Sequence, residues 1–267
     1  MNIAVIGCGN MASAVVLNLA SNNKDLHFFT YTPSLTRAKT LAKKIKGQCI
    51  EKFEDFFEVK IDYWLIGHKP QQLDEFSKQF LKSYSDATIV SMLAATDTDR
   101  LECSFRSKNI IRIMPNTPIG VGAGVTLFYP GVDCSKDIAQ IIKGHFKNAG
   151  LIETKSEKEL DTLTTFSGCG PAYLFLFADT LSQKMQSLGF SKETSKALLD
   201  NLFLGSSQLM KNSTLNYTEL LDQVTSKGGV TIQAIKTFQA EEIYSMTSKA
   251  IDSALRKTEQ MNQVINK

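Results

Sequence analysis

The chain opens on a short apolar run, Asn2–Ile6, that breaks at once into Gly7-Cys8-Gly9-Asn10-Met11-Ala12. A β-rich run stopping on glycines and passing into a helical pattern constrains the fold more than anything else in the sequence. It begins a strand–turn–helix unit, whose next strand lies parallel to the first and whose helix must cover a sheet face. The spacing is G-x-G-x-x-A. Gly7 permits the tight turn, Gly9 lets a pyrophosphate approach the backbone, and the small Ala12 lets the helix lie close on the sheet. Exposed amides at the helix start then meet the anion. A glycine turn without a ligand is the plain alternative, and the strand–turn–helix context favours a dinucleotide.

The alternation continues. A helix is predicted over 11–21, a strand over 26–31 and a helix over 35–45, with further strands over 62–67, 88–92, 109–114 and 125–129. Helices near 71–82 and 136–148 complete a set of βαβ units. After residue 153 the strand signal stops, and helices are predicted over 157–166, 170–188, 192–212, 217–223, 230–237 and 243–263. The expected fold class is therefore α/β: an N-terminal Rossmann-type parallel sheet domain over 1–155, then an all-α C-terminal dimerisation domain over 156–267. No Pro/Ser linker separates them. The stretch AYLFLFADTL at 172–181 is apolar on more than one face, and a helical half of this size cannot cover it alone. A second copy of the chain is the expected cover.

Charge and cysteines narrow the function classes. Thirty Lys+Arg against 27 Asp+Glu give +3, and the basic residues are interspersed with acidic ones, so no nucleic-acid footprint is expected. No segment reaches the roughly 20 apolar residues of a membrane span, and the N-terminus lacks the basic leader of a signal peptide. Cys8, Cys49, Cys103, Cys134 and Cys169 lie far apart, with no C-x-x-C and no His at ligand spacing. Neither a metal site nor a disulfide framework is expected, and a cytoplasmic location fits.

Several stretches can carry chemistry. A NAD-selective site places an Asp or Glu about 20 residues beyond the glycines to hold the ribose hydroxyls. Here the second strand runs instead into Thr32-Pro33-Ser34, with Arg37 following. Without a carboxylate to repel a 2′-phosphate, and with Thr32, Ser34 and Arg37 to bind one, NADPH is favoured and NADH stays usable. The strand ending at Gly67 leads into His68-Lys69-Pro70, which would border a ligand at the carboxyl ends of the strands; for His68 a packing role is the equal alternative. Met114-Pro115-Asn116-Thr117-Pro118 reads as a rigid corner. Ser226-Lys227-Gly228-Gly229-Val230-Thr231 offers free amides and hydroxyls before a helix, a nest for a carboxylate, or a loop that only turns the chain.

These residues also carry a resemblance. G-C-G-N-M-A, H-K-P-Q, M-P-N-T-P, S-G-C-G-P-A-Y and D-Q-V-T-S-K-G-G-V-T follow one another in the order and spacing of pyrroline-5-carboxylate reductases, which the chain resembles over essentially its whole length. The resemblance implies NAD(P)H-dependent reduction of Δ1-pyrroline-5-carboxylate to L-proline by a homodimer or higher oligomer. It implies that Gly7, Gly9, Asn10 and Met11 bind the dinucleotide backbone, that Thr32 and Ser34 meet the adenosine ribose or its phosphate, and that His68, Lys69, Pro70 and Ala94 line the path to the nicotinamide. Ser226, Gly228, Gly229, Val230 and Thr231 would bind the pyrroline carboxylate from the partner subunit, with Thr231 as the residue carrying catalysis. Glu157 falls where some relatives approach the substrate. The chain departs from the pattern at Lys227 (usually Pro), Cys169 (usually Ser), Ala95-Thr96-Asp97 (often Gly-Val-Thr), Ala123 (frequently Glu) and Glu54 (Asn in some). A reductase of another cyclic imine, and a nucleotide-binding relative without activity, are the rival readings.

Overall fold

A computed structural model of the protein describes residues 1–265. In chain order its elements are β1 (Asn2–Ile6), α1 (Asn10–Asn22), β2 (His27–Tyr31), α2 (Thr36–Ile45), β3 (Gln48–Cys49), β4 (Tyr63–Ile66), α3 (Leu73–Phe80), β5 (Ile89–Ser91), α4 (Thr98–Phe105), β6 (Ile110–Pro115), β7 (Thr126–Pro130), α5 (Lys136–His145) and β8 (Leu151–Glu153). Helices α6 (Glu157–Ser167), α7 (Gly170–Ser187), α8 (Lys192–Asn212), α9 (Tyr217–Gln223), α10 (Val230–Ala240) and α11 (Ile243–Ile265) follow. Short 3-10 turns occupy Phe53–Glu58, Pro70–Gln72 and Thr117–Val121.

All eight strands join one sheet in the order β3-β2-β1-β4-β5-β6-β7-β8. Every pairing is parallel except β6 with β7, which the turn at Thr117–Val121 joins antiparallel. The strands are buried on both faces, as crossover helices require. Ile3, Val5, Tyr63 and Leu65 pack with Val15, Val16, Leu41 and Phe146 from α1, α2 and the end of α5. Ala4, Ile6, Trp64 and Ile66 alternate to the other face, against Phe53, Phe56, Phe76, Phe80 and Phe105. There the rings meet mostly edge-to-face or tilted, with Trp64 centred 4.9 Å from Phe56 and 5.0 Å from Phe80.

The predicted strands and the six C-terminal helices form with boundaries shifted by a few residues at most. Helix α4 and the short strands β3 and β8 are additions to the sequence reading. The chain divides into two compact units, 1–171 with 254–267, and 172–253. The first therefore takes in α6 and the last turns of α11. Within it Asn262 Nδ2 donates to Asp161 Oδ2 at 2.8 Å, and Arg100 donates to the Ile265 carbonyl.

The second unit is helical and poor in buried residues. Helix α7 has none, and Leu174, Phe175 and Leu176 are 57%, 68% and 68% exposed. No helix among the described residues is long and apolar enough to cross a membrane.

His145, ending α5, stacks on the buried Tyr63 and shares a 3.4 Å hydrogen bond with its hydroxyl. Burial, aided by the N-terminal ammonium, pushes the imidazole below its usual value. The unfolded chain therefore takes up the proton first, so this stability is full above about pH 6.5 and drains away as the pH falls below it. Between pH 7.5 and 5.5 the Tm of the wild type should fall further than that of His145→Gln. Parallel declines would remove His145 from the acid response.

Candidate active site

Strand order fixes where a ligand can lie. β1 runs into α1 on one face and β4 into α3 on the other, so a crevice opens where the neighbouring strands β1 and β4 send their chains apart. Gly7 closes β1 with φ +88°, and a Cβ there would lie 2.5 Å from the His68 nitrogen. Any side chain at this position would collide with the end of β4. A Cβ on Gly67 would lie 2.8 Å from the Ala12 Cβ, so the missing side chain at Gly67 is what lets α1 close on the sheet there.

Gly9 caps α1 with ordinary extended backbone and nothing within 4 Å of where a Cβ would be. Its freedom faces open space in front of the first amides of α1, which have no intrahelical acceptor. This cradle fits a pyrophosphate. Cys8 between the glycines is buried, and burial, helped by Cys49, pushes its thiol up to about 12, so it stays protonated and packs as an apolar group.

The crevice holds about 480 Å³ and is lined by Gly7, Gly9, Thr32, Ser34, Arg37, His68 and Lys69 among the residues singled out from sequence, with Tyr31, Gln72, Glu75, Phe76 and Gln79 added. Ser34 and Arg37 are exposed at its mouth. Asn10 borders an adjoining groove between α1 and α2 that also reaches Arg37. Met11, Pro70 and Ala94 are not among the lining residues; Ala94 is exposed beyond β5, at the same edge of the sheet. His68 shares a 2.9 Å hydrogen bond between Nδ1 and the Lys69 carbonyl, and burial lowers its pKa. A carbonyl only accepts, so Nδ1 carries the proton and the ring is neutral at pH 7. The imidazole leans on Phe76 at 5.3 Å.

Glu157 sits apart from the crevice. Its carboxylate accepts from Arg112 at 2.8 Å, from the Thr98 amide at 2.8 Å and from the Thr98 hydroxyl at 3.1 Å. Arg112 is 1% exposed and also donates to Asp161 at 3.0 Å. Sequence reasoning passed over Arg112, although a lone Arg inside the apolar run of β6 is the signal of a buried ion pair. It also took Met114–Pro118 only as a corner. Asn116 there accepts from the Val125 amide at 2.7 Å and donates to the Ser167 carbonyl at 3.0 Å, fixing the antiparallel turn and the end of α6.

In the second unit the loop before α10 turns at Gly228, φ +78°, and Gly229 donates to the Ser226 carbonyl at 3.0 Å. A Cβ on Gly229 would lie 2.4 Å from the Ser226 hydroxyl, so this glycine keeps that hydroxyl at the helix start. Ser226, Lys227, Gly228, Val230 and Thr231 are exposed. The first amides of α10, with these hydroxyls and the Lys227 ammonium, form a surface suited to a carboxylate. Among the described residues no three His, Cys, Asp or Glu side chains gather as metal ligands.

Residues 157–261 match the family model described as pyrroline-5-carboxylate reductase dimerisation, and residues 2–95 match that described as NADP oxidoreductase, coenzyme F420-dependent. The chain is 27% identical to a pyrroline-5-carboxylate reductase of Vibrio alginolyticus, with 98% of each chain covered. Its fold is similar to that of a pyrroline-5-carboxylate reductase from Coxiella burnetii, with a TM-score of 0.85 at 26% identity, over 97% of this chain and 98% of the other. It is likewise similar to a Plasmodium falciparum pyrroline carboxylate reductase solved with NADP bound, with a TM-score of 0.82 at 25% identity, over 98% of each chain.

The two glycines of the turn should separate by experiment. Gly9→Ala should leave Tm within about 2 °C, since the added methyl meets no protein atom, yet weaken dinucleotide binding at least about tenfold by occupying the pyrophosphate approach. Gly7→Ala should lower Tm as well, because both φ and the contact with His68 oppose it. Calorimetric titration and thermal melts read both, and unaltered cofactor affinity in Gly9→Ala would take the pyrophosphate out of this turn.

Proposed function

Because the chain belongs to the pyrroline-5-carboxylate reductase family, we propose that it reduces Δ1-pyrroline-5-carboxylate to L-proline with NADPH, the last step of proline biosynthesis. The observation that carries this reading is the crevice between β1 and β4, with a backbone cradle at Gly7 and Gly9 and an adenosine end bearing Thr32, Ser34 and Arg37. No Asp or Glu stands among residues 30–37, where a carboxylate would reject a 2′-phosphate. Arg37 supplies the planar donor set that binds one.

We assign the cofactor backbone to Gly7, Gly9, Asn10 and Met11, its adenosine phosphate to Thr32, Ser34 and Arg37, and the route toward the nicotinamide to His68, Lys69, Pro70 and Ala94. When bound, the dinucleotide supplies a hydride to the imine carbon. The protonated ring nitrogen already makes that carbon electrophilic, so the protein's share of the work is positioning and charge complementarity. The amides of Val230 and Thr231, the Ser226 hydroxyl and the turn at Gly228 and Gly229 hold the substrate carboxylate. The Lys227 ammonium adds attraction where a proline would add only stiffness. The Thr231 hydroxyl hydrogen-bonds the ring nitrogen or the adjacent carboxylate; it orients the ring, and water returns the proton.

The functional unit is a homodimer in which this loop comes from the partner subunit. Helix α7 supports that reading, since an 18-residue helix with no buried residue and bulky apolar side chains on several faces needs a second chain to cover it. All five cysteines are free thiols, in keeping with a reducing cytoplasm.

Loss of NADPH absorbance on adding pyrroline-5-carboxylate tests the activity; turnover only with other cyclic imines would move the substrate assignment, and cofactor binding without turnover would end it. Thr231→Ala should lower kcat/KM about tenfold or more, the scale of one hydrogen bond made in the transition state. Wild-type kinetics in that variant would remove Thr231 from the mechanism.

A further inference from the structure

Between β5 and α4 the chain passes through Leu93-Ala94-Ala95-Thr96-Asp97 at the carboxyl edge of the sheet. The register places it one strand over from Gly67 and His68: Ser91 pairs with Ile66, and the Met92 amide donates to the Ile66 carbonyl at 2.9 Å. Ala95 has φ +56°, a left-handed conformation that an alanine adopts only when its surroundings impose it, and it is buried. Leu93 and Thr96 are buried on either side, which leaves Ala94 as the exposed residue of the bend.

The restraint arrives from α6, 59 residues on in sequence. Asp97 caps α4 through the Arg100 amide at 2.8 Å, and the next residue, Thr98, gives both its amide and its hydroxyl to the Glu157 carboxylate. That carboxylate is held in turn by Arg112 at 2.8 Å, the same guanidinium that grips Asp161. Asp161 also accepts from Asn262 of α11. One fully buried cation thus orients two carboxylates, and one of these pins the exit of the strained bend.

We propose that Glu157 is a positioning residue: clamped by Arg112, it fixes Thr98 and so holds the 94–97 bend in the conformation that presents Ala94 to the nicotinamide end of the cofactor. The inference rests on the cofactor assignment above and gives Glu157 no contact with substrate. It also accounts for an alanine tolerating a left-handed backbone at a place where glycine would meet no penalty.

Amide hydrogen exchange, NADPH affinity and steady-state kinetics, measured on Glu157→Ala, Glu157→Gln and Thr98→Val, test it. In Glu157→Ala the amides of residues 95–98 should exchange at least about tenfold faster, NADPH should bind roughly three- to tenfold more weakly, and kcat should fall about tenfold. KM for pyrroline-5-carboxylate should change less than about threefold, since the substrate loses no partner. Glu157→Gln keeps an acceptor oxygen for Thr98 and should recover most of the exchange protection. Thr98→Val, which removes only the hydroxyl bond, should shift every readout the same way by about threefold, and it serves if Glu157→Ala does not fold. A lower Tm with unchanged exchange, affinity and kcat would reduce Glu157 to a fold contact; a rise confined to KM would make it a substrate contact; either overturns the proposal. A wild type that binds NADPH without reducing pyrroline-5-carboxylate would sink the activity assignment, while exchange and affinity still decide the clamp.

Discussion

The contact on which the molecule depends is the approach of the β1 turn to the end of β4. Two parallel strands lie side by side, and their connections leave on opposite faces only because Gly7 has no side chain to strike His68 and Gly67 none to strike Ala12. Bulk at either place would push α1 off the sheet. It would also fill the crevice into which the helix amides point, so one steric condition sets both the packing of the core and the access of an anion to the backbone.

Where structure was legible in the sequence, the reason is local and physical. The strands β1 and β4 read clearly because parallel strands buried on both faces are near-continuous apolar runs, and β6 reads as one on either side of Arg112. Three of the six C-terminal helices begin on side-chain caps, Ser156, Ser191 and Asn216, each accepting from the amide three residues on. Helix α4 escaped because TDRLECSF offers only Leu101 and Phe105 as apolar residues to a core, too few to show a period; its cap, Asp97, is seen in the structure. Strands β3 and β8 have two and three residues and exist only through pairing with neighbours.

The site divides along the same line. The place of Gly7, Gly9 and the hydroxyls after β2 along the crevice was legible, because it follows from their own positions beside a strand end. The contacts of Asn116 and Glu157 were not, because they are made with Val125 and Ser167 in one case and with Thr98 and Arg112 in the other. Nothing in M-P-N-T-P announces that its Asn braces a helix end 51 residues later. A buried Arg in a strand is the nearest thing to an announcement. It demands carboxylates, and α6 supplies them from Glu157 and Asp161, four residues apart and therefore on one helix face.

That placement bears on how such a site can be stable and still work. An isolated buried guanidinium would cost more than the unit could absorb, and removing either carboxylate leaves part of that charge unmatched. The pairs are therefore weak evidence of net stabilisation and good evidence of a fixed geometry: α6 and β6 bring the charges together, and the start of α4 and the last turns of α11 supply the neutral donors that complete the two carboxylates. A reaction whose acceptor is already an iminium asks the protein for geometry before acid or base strength. Placing the one buried cation of β6 where it holds backbone, while the crevice carries amides, hydroxyls, a neutral imidazole and the cations Arg37 and Lys69, is a division of labour that matches that demand.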